Sequence, residues 1–280
     1  MDGNSIPQNT SDTLAQTIAT LAGGSPLDLG ELDRAGMVPT ETVGLIWRKL
    51  AFAVNNNVRF VLIHGPAGVG KTESVVEFCR DPRKALAKIP GGMEVPADFQ
   101  FTYMQVKPET DASAFIFDLA QTLKTSNTHT MRYLITIVRE YLSANPRLIV
   151  LDEVQRMNRN ALDVAKYMAD ATGSTFALIM TDEFVSRIRR WRDIESRIGV
   201  VVQVVPASAE EVIKIYSHRG WKKTTLRRIH SLTGGIMRDV VRLIALLEKA
   251  ASLSGVGVDV FEPHHAEAAA KELYLGDKTR

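Results

Sequence analysis

Cysteine is almost missing from this chain. There is one in 280 residues, Cys79, so no internal disulfide can form, and the composition fits a reducing compartment. Cys79 lies in an apolar helical pattern and reads as core packing rather than as a reactive thiol. An excess of charge is also lacking. Lys and Arg number 34 against 32 Asp and Glu, a formal net +2. Nothing therefore draws the whole molecule to nucleic acid, and any such binding rests on local clusters. No run reaches the roughly 18 apolar residues that a bilayer span needs. Met1 to Asp12 is polar and lacks the basic-then-apolar order of a secretion signal. The expected compartment is the cytoplasm, with no membrane partner. The six histidines show no metal-ligand spacing, and the adjacent pair His264-His265 reads as exposed. No nucleophile–base pair marks a second active site, and no internal repeat or low-complexity tract is visible.

What is present is an ordinary globular composition, 45% hydrophobic and 24% charged, long enough for one large domain and a small one. The chain is organised around V-L-I-H-G-P-A-G-V-G-K-T, Val61 to Thr72. An apolar run, Phe60 to Ile63, reads as a buried strand. It breaks into a loop, Gly65, Pro66, Ala67, Gly68, Val69, Gly70, and continues through Lys71, Thr72 and Glu73 into a segment of helical character. Strand, then G-x-x-x-x-G-K-[ST], then helix is the setting of a phosphate loop rather than of a glycine-rich turn. Glycines let backbone N–H groups turn inward around a phosphate, and the helix N-terminus adds unpaired donors and a favourable dipole. Lys71 is expected to reach the β- and γ-phosphates of ATP, and the Thr72 hydroxyl to ligate Mg²⁺.

A second landmark lies 80 residues beyond Thr72. Leu148 to Leu151 reads as a buried strand with Asp152 and Glu153 at its C-terminal end. In open α/β sheets ligands bind outside the carboxyl ends of strands. Asp152 is therefore expected to hold the metal, directly or through water, and Glu153 to polarise the attacking water. Phe176 to Met180 is another buried strand. It ends in Thr181, a polar residue expected beside the γ-phosphate, with a plain strand-end cap as the bland alternative.

Further strands are expected at Phe99 to Val106 and Gly199 to Val205. Helices are expected at Thr40 to Val54, Ala112 to Leu123, Thr130 to Leu142 and Val185 to Trp191. Five alternations of strand and helix predict an α/β fold with a parallel sheet flanked by helices. After Pro206 the pattern turns helical, beginning with a capping box at Ser208 to Glu211 and ending with a helix over Glu262 to Leu275. The expected organisation is an N-terminal arm over 1–35, a nucleotide-binding domain over 36–205 and a small helical domain over 206–280. Within the arm, Asp12 to Leu21 reads as a short amphipathic helix.

This order of motifs, closed by Gly234-Gly-Ile-Met-Arg238, resembles that of AAA+ ATPases. The likeness narrows to the MuB/TnsC family of transposition regulators. It is carried by Met37 to Trp47 running on to Gly65 to Glu73, by Asp152-Glu-Val-Gln-Arg-Met157, by Ser196-Arg197-Ile198 and by the tail Glu267 to Leu275. It spans about residues 36 to 276. The resemblance implies an AAA+ P-loop NTPase with a central five-stranded parallel sheet and a C-terminal helical lid domain. It implies an ATPase that assembles on duplex DNA as an ATP-bound oligomer or filament, selects target DNA and recruits a DDE transposase. Hydrolysis then drives disassembly. By motif position Thr181 matches the sensor-1 residue, Arg197 the finger that reaches the neighbouring subunit's nucleotide, and Arg238 the sensor-2 arginine. Arg192 is the rival finger, and a surface ion pair is the bland alternative for each arginine.

About 35 residues precede the matching stretch, too few for the helix-turn-helix module that MuB-type proteins carry. DNA binding is therefore expected of the ATPase core. The loops after the second strand and the next helix are expected to face DNA without reading sequence, through Lys107, Lys124, Thr125 and Asn127. The runs Arg187–Arg192 and Arg227-Arg228 are secondary candidates. Two other functions share the same core: a helicase loader or replication initiator, and a signalling NTPase that uses nucleotide as an assembly switch.

Overall fold

The structure, a computed structural model, describes residues 17–18, 39–91, 93–125 and 130–273. Of the expected arm helix only Thr17 and Ile18 are described. Asn127 and the tail beyond Leu273 lie outside the described residues. Contacts divide the chain into two compact units, one over Glu41–Val205 and one over Pro206–Arg280 together with Met1–Thr40.

The first unit is built on five parallel strands: β1 (Phe60–His64), β2 (Phe101–Gln105), β3 (Leu148–Asp152), β4 (Thr175–Met180) and β5 (Ile198–Gln203). Their order across the sheet is β2-β3-β4-β1-β5. Composition sets position. Every residue of β1, β3 and β4 is buried, as expected of parallel strands covered on both faces. The edge strands β2 and β5 alternate between buried and exposed residues.

The flanking helices are α1 (Glu41–Asn55), α2 (Lys71–Arg80), α3 (Pro82–Ala87), α4 (Ala112–Thr122), α5 (Met131–Ala144), α6 (Arg159–Thr172), α7 (Asp182–Arg190) and α8 (Arg192–Glu195). Trp47 of α1 is fully buried and donates from Nε1 to the Ser74 carbonyl of α2 at 2.8 Å. The stretch that carries the family resemblance thus braces the helix behind the glycine loop. α3, α6 and α8 are not among the elements expected from periodicity. α6 has clear local causes all the same. Asn158 caps it by accepting from the Ala161 N–H at 2.9 Å, and Gly173 ends it in the left-handed region at φ 74°. Ala161, Leu162, Ala165, Met168 and Ala169 bury one face.

The second unit contains α9 (Ala209–Tyr216), α10 (Lys223–Thr233), α11 (Met237–Ser254) and α12 (Pro263–Glu272). The capping box at Ser208 and Glu211 is formed in full. Its core includes Val212, Trp221, Leu226, Ile229, Leu243, Leu247 and Phe261, and Ile18 joins them. Trp221 stacks on Phe261 with centroids 5.7 Å apart. The histidine pair departs from expectation. His264 is exposed, but His265 is buried and accepts the Glu262 N–H on Nδ1 at 3.1 Å. It closes the first turn of α12 as a cap. No helix among the described residues is long and apolar enough to cross a membrane.

Candidate functional site: the phosphate loop and the ends of β3 and β4

The strand order decides the site. β4 pairs with both β1 and β3, so the carboxyl end of β4 lies between the glycine loop after β1 and the acidic pair at the end of β3. Three stretches far apart in sequence thus meet along one edge of the sheet, where α/β folds bind ligands.

The loop starts at Gly65, where the backbone leaves β1 and passes against Val204. A Cβ there would lie 2.2 Å from the Val204 carbonyl oxygen, so the position admits only glycine. Pro66, Ala67, Gly68 and Val69 carry the chain over to Gly70, at φ 96°, which precedes the first turn of α2. Lys71, Thr72 and Glu73 form that turn. Lys71 Nζ donates to the carbonyls of Gly65 (2.7 Å) and Pro66 (2.8 Å), which holds its ammonium across the mouth of the loop.

Thr72 and Asp152 touch. The Thr72 hydroxyl donates to Asp152 Oδ2 at 2.8 Å, and the carboxylate is only 4% exposed. Asp152 Oδ1 accepts the Glu153 N–H at 2.9 Å. A third partner was not apparent from sequence: the Tyr103 hydroxyl, from β2, donates to Oδ2 at 2.9 Å. Burial, and then the Asp152 carboxylate, push the Tyr103 phenol well above its ordinary pKa, so it stays a donor. Its position became visible only through the pairing of β2 with β3, which sets Gln105 against Asp152 and Tyr103 two residues back.

Glu153 stands in the left-handed region, at φ 60° and ψ 40°. A side chain held there costs on the order of 1–3 kcal/mol, and such outliers cluster at functional sites. Gln155 donates to its carboxylate, and Arg156 lies 3.8 Å away. Gln155 Oε1 is left buried with no partner among the described residues.

Thr181 ends β4 and precedes α7. Its hydroxyl contacts the Glu183 carboxylate, which that contact and the Glu183 backbone N–H hold below its usual pKa, the backbone bond counting most. His64, also unremarked in sequence, ends β1 and sits 2.6 Å from Asp182 through Nδ1. It ties the strand that feeds the loop to the turn that carries Thr181.

The remaining expected residues lie apart. Arg197 Nε donates to both oxygens of Asp170 on α6, at 2.9 and 3.0 Å. Arg238 is in the first turn of α11, in the other unit. Lys107 pairs with Asp118 at 2.6 Å. Lys124 adopts φ 57° just past α4, and Thr125 donates back to the Ala120 carbonyl at 3.3 Å. Lys107 and Lys124 flank α4, a helix about 16 Å long at 1.5 Å per residue, so they face separate points of any ligand.

Among the described residues no group of three or more His, Cys, Asp or Glu could hold a metal unaided. That matches Mg²⁺, which takes one or two protein oxygens and leaves the rest to phosphate and water. The Thr72 hydroxyl and the Asp152 carboxylate, already together in a polar niche, supply that donor chemistry.

The family model described as an AAA domain matches residues 55–188. Comparison with curated protein sequences gives no match. Among solved structures, the chain is similar to Cdc6p from Pyrobaculum aerophilum, with 14% identity over 85% of this chain and 66% of that chain at a TM-score of 0.59. It is similar to the Aeropyrum pernix ORC1 protein in complex with DNA, with 15% identity over 85% and 66% of the two chains at a TM-score of 0.61. It is also similar to the Aeropyrum pernix ORC2 protein in its ADPNP–ADP complexes, with 17% identity over 83% and 66% at a TM-score of 0.58. The chain spans just under two thirds of the length of each of these proteins. The shared property is the fold: an AAA-type P-loop domain, with the five-stranded parallel sheet of AAA+ NTPases flanked by helices.

Proposed function

We propose that this AAA-type P-loop domain binds Mg²⁺-ATP and hydrolyses it, and that copies of the chain assemble on duplex DNA while the triphosphate is intact. We further propose that the assembly regulates DNA transposition, by selecting target DNA and recruiting a DDE transposase. The observation that carries the ATPase reading is the meeting of Lys71, Thr72 and Asp152 at one sheet edge, with Glu153 beside them.

Each side chain then has a task. The N–H groups of Gly68 to Glu73 cradle the phosphates, and Lys71 exchanges its two carbonyl partners for phosphate oxygens. Thr72 and Asp152 hold Mg²⁺, which when bound neutralises phosphate charge. Glu153 takes a proton from the attacking water, a step worth about 10²–10⁴ in rate. Thr181 orients that water. Arg238, on a lid formed by residues 206–280, and Arg197, reaching a neighbouring copy, complete the charge balance. An arginine supplied across a subunit boundary is worth roughly 10³–10⁵ in rate, and it makes assembly depend on the γ-phosphate. Lys107, Lys124, Thr125 and Asn127 are the proposed phosphate-backbone contacts.

The transposition role is supported by the sequence resemblance around Met37 to Trp47 and Asp152 to Met157. A second reading, a helicase loader or replication initiator, is favoured by the similarity in fold to Cdc6p and the ORC proteins. The decisive experiment is electron microscopy of the chain with duplex DNA under ATP, a non-hydrolysable analogue and ADP. Glu153→Gln is expected to bind ATP, lose about 10²-fold or more of its hydrolysis, and leave long-lived assemblies on DNA. A chain that ignores ATP, or gathers on DNA equally well without nucleotide, overturns the proposal. Direct binding to a replicative helicase in place of a transposase would select the second reading.

A further inference from the structure

The end of α7 carries four arginines in six residues, Arg187, Arg189, Arg190 and Arg192, all exposed. None has a carboxylate partner among the described residues. The contrast with Arg159 is direct. That residue, at the start of α6, contacts Asp163 at 3.6 Å and Asp193 at 3.0 Å. Asp193 is committed as well, since it accepts from Lys166 at 2.7 Å. Lys166 first, and Arg159 after it, hold its carboxyl far below the usual range. The acid nearest the arginine cluster therefore has no charge to spare for it.

Two of the four, Arg187 and Arg190, line a groove of about 280 Å³ with Met157, Asn158, Arg159 and Trp191. They are three residues apart on one helix and so share a face. Trp191 forms the apolar wall, packed edge-on against Phe184 and covered by the Arg159 guanidinium, 5.7 Å from the ring centroid. The other wall is tied to the loop after β2. Thr110 N–H donates to the Arg156 carbonyl at 3.1 Å, and Asn158 N–H donates to the Thr110 carbonyl at 3.0 Å. Whatever lies along the Lys107–Thr110 loop runs on into this groove. Lys107, at the far end of that loop, is already neutralised by Asp118.

We propose that the groove between the start of α6 and the end of α7 grips the sugar-phosphate backbone of duplex DNA, with Arg187 and Arg190 on phosphate oxygens and Trp191 against the sugar edge. Guanidinium suits this task, because its planar fork binds phosphate in a bidentate manner. A cluster of unanswered arginines in a chain of nearly neutral net charge is the local concentration of positive charge that backbone binding needs. The proposal rests on the DNA-binding reading above but places the main contact on other residues.

The test compares three chains, wild type, the double variant Arg187→Gln/Arg190→Gln and the double variant Lys107→Ala/Lys124→Ala, for binding to a random-sequence duplex across a salt series with non-hydrolysable ATP analogue. Thermal unfolding and ATP affinity serve as folding controls, and the apolar face of α7, Phe184, Val185 and Ile188, is untouched. The arginine variant is expected to bind about tenfold or more weakly at low salt, with a log–log salt slope shallower by about 1.8, from two lost phosphate contacts at about 0.9 each. The lysine variant is expected to change less, and an Arg187→Lys/Arg190→Lys chain to recover part of the affinity. Unchanged duplex affinity and slope in the arginine variant overturns the groove while leaving DNA binding itself intact. So does unchanged affinity with lost self-assembly, which would make the arginines a contact for a second copy. A wild-type chain that binds no duplex at all overturns both readings.

Discussion

Asp152 is the residue on which the site converges. Its two oxygens accept from Thr72, Tyr103 and the Glu153 N–H, so the carboxylate is oriented before any metal arrives. Tyr103→Phe removes one of these donors. It is expected to cost about 1–2 kcal/mol of stability and to weaken Mg²⁺-dependent ATP binding while leaving Mg²⁺-independent nucleotide binding near wild type. Titration calorimetry with and without Mg²⁺ checks this, and equal losses under both conditions would refute it. At Gly65 the constraint is steric. Gly65→Ala places a methyl group on the Val204 carbonyl, and the backbone shift that relieves it is expected to cost about 1–3 kcal/mol. Denaturant unfolding should show the loss together with much weaker ATP binding. Lys71, Thr72, Asp152 and Glu153 were legible in the sequence because their spacing is set by the chemistry of phosphate and metal. Tyr103 and His64 were not, because each acquires its partner only through strand neighbours whose order no local pattern encodes.

At the scale of elements, burial made some assignments easy and hid others. β1, β3 and β4 are unbroken apolar runs, so their existence could be read but their order could not. Nothing in Thr175–Met180 says that it inserts between two strands that come earlier in the chain. α6 had readable caps, Asn158 and Gly173. Its buried face relies on small alanines, however, and Asp163, Lys166 and Asp170 interrupt the apolar pattern. In α12 the error ran the other way, because two adjacent histidines look polar while one of them fills a core position beside Phe261, ring centroids 5.6 Å apart. Burial first, and His264 second, lower the His265 pKa. Protons therefore favour the unfolded chain, whose histidine titrates near about 6.5. The stabilising contribution is complete above that pH and is lost as the pH falls through the window below it, down to the lowered folded value. Urea unfolding followed by Trp221 fluorescence should give lower stability at pH 5.5 than at pH 7.5, and His265→Gln should flatten that dependence. A slope unchanged by the substitution would remove His265 as its source.

For the molecule as a whole, the open matter is how one copy acts on another. Arg197, the proposed finger, is engaged by Asp170 within its own chain, and Arg59 stands 4.0 Å from the same carboxylate. Exposed pairs of this kind are worth about 0–1 kcal/mol, so the arginine is held in place at little cost to its release. Arg197→Ala is therefore expected to fold and bind ATP like the wild type, yet to lose DNA-stimulated hydrolysis by about 10³-fold or more and to form no filaments. Normal ATP-dependent filaments from that variant, seen by electron microscopy, would reject the assignment and turn attention to Arg192.

The lysine resting on the carbonyls of Gly65 and Pro66 has a further consequence. With that cationic tip standing in for the missing guest, the empty cradle keeps its shape instead of caving in. Admission of nucleotide then resembles a change of tenant, in which one flexible arm swings aside while the surrounding walls stay still.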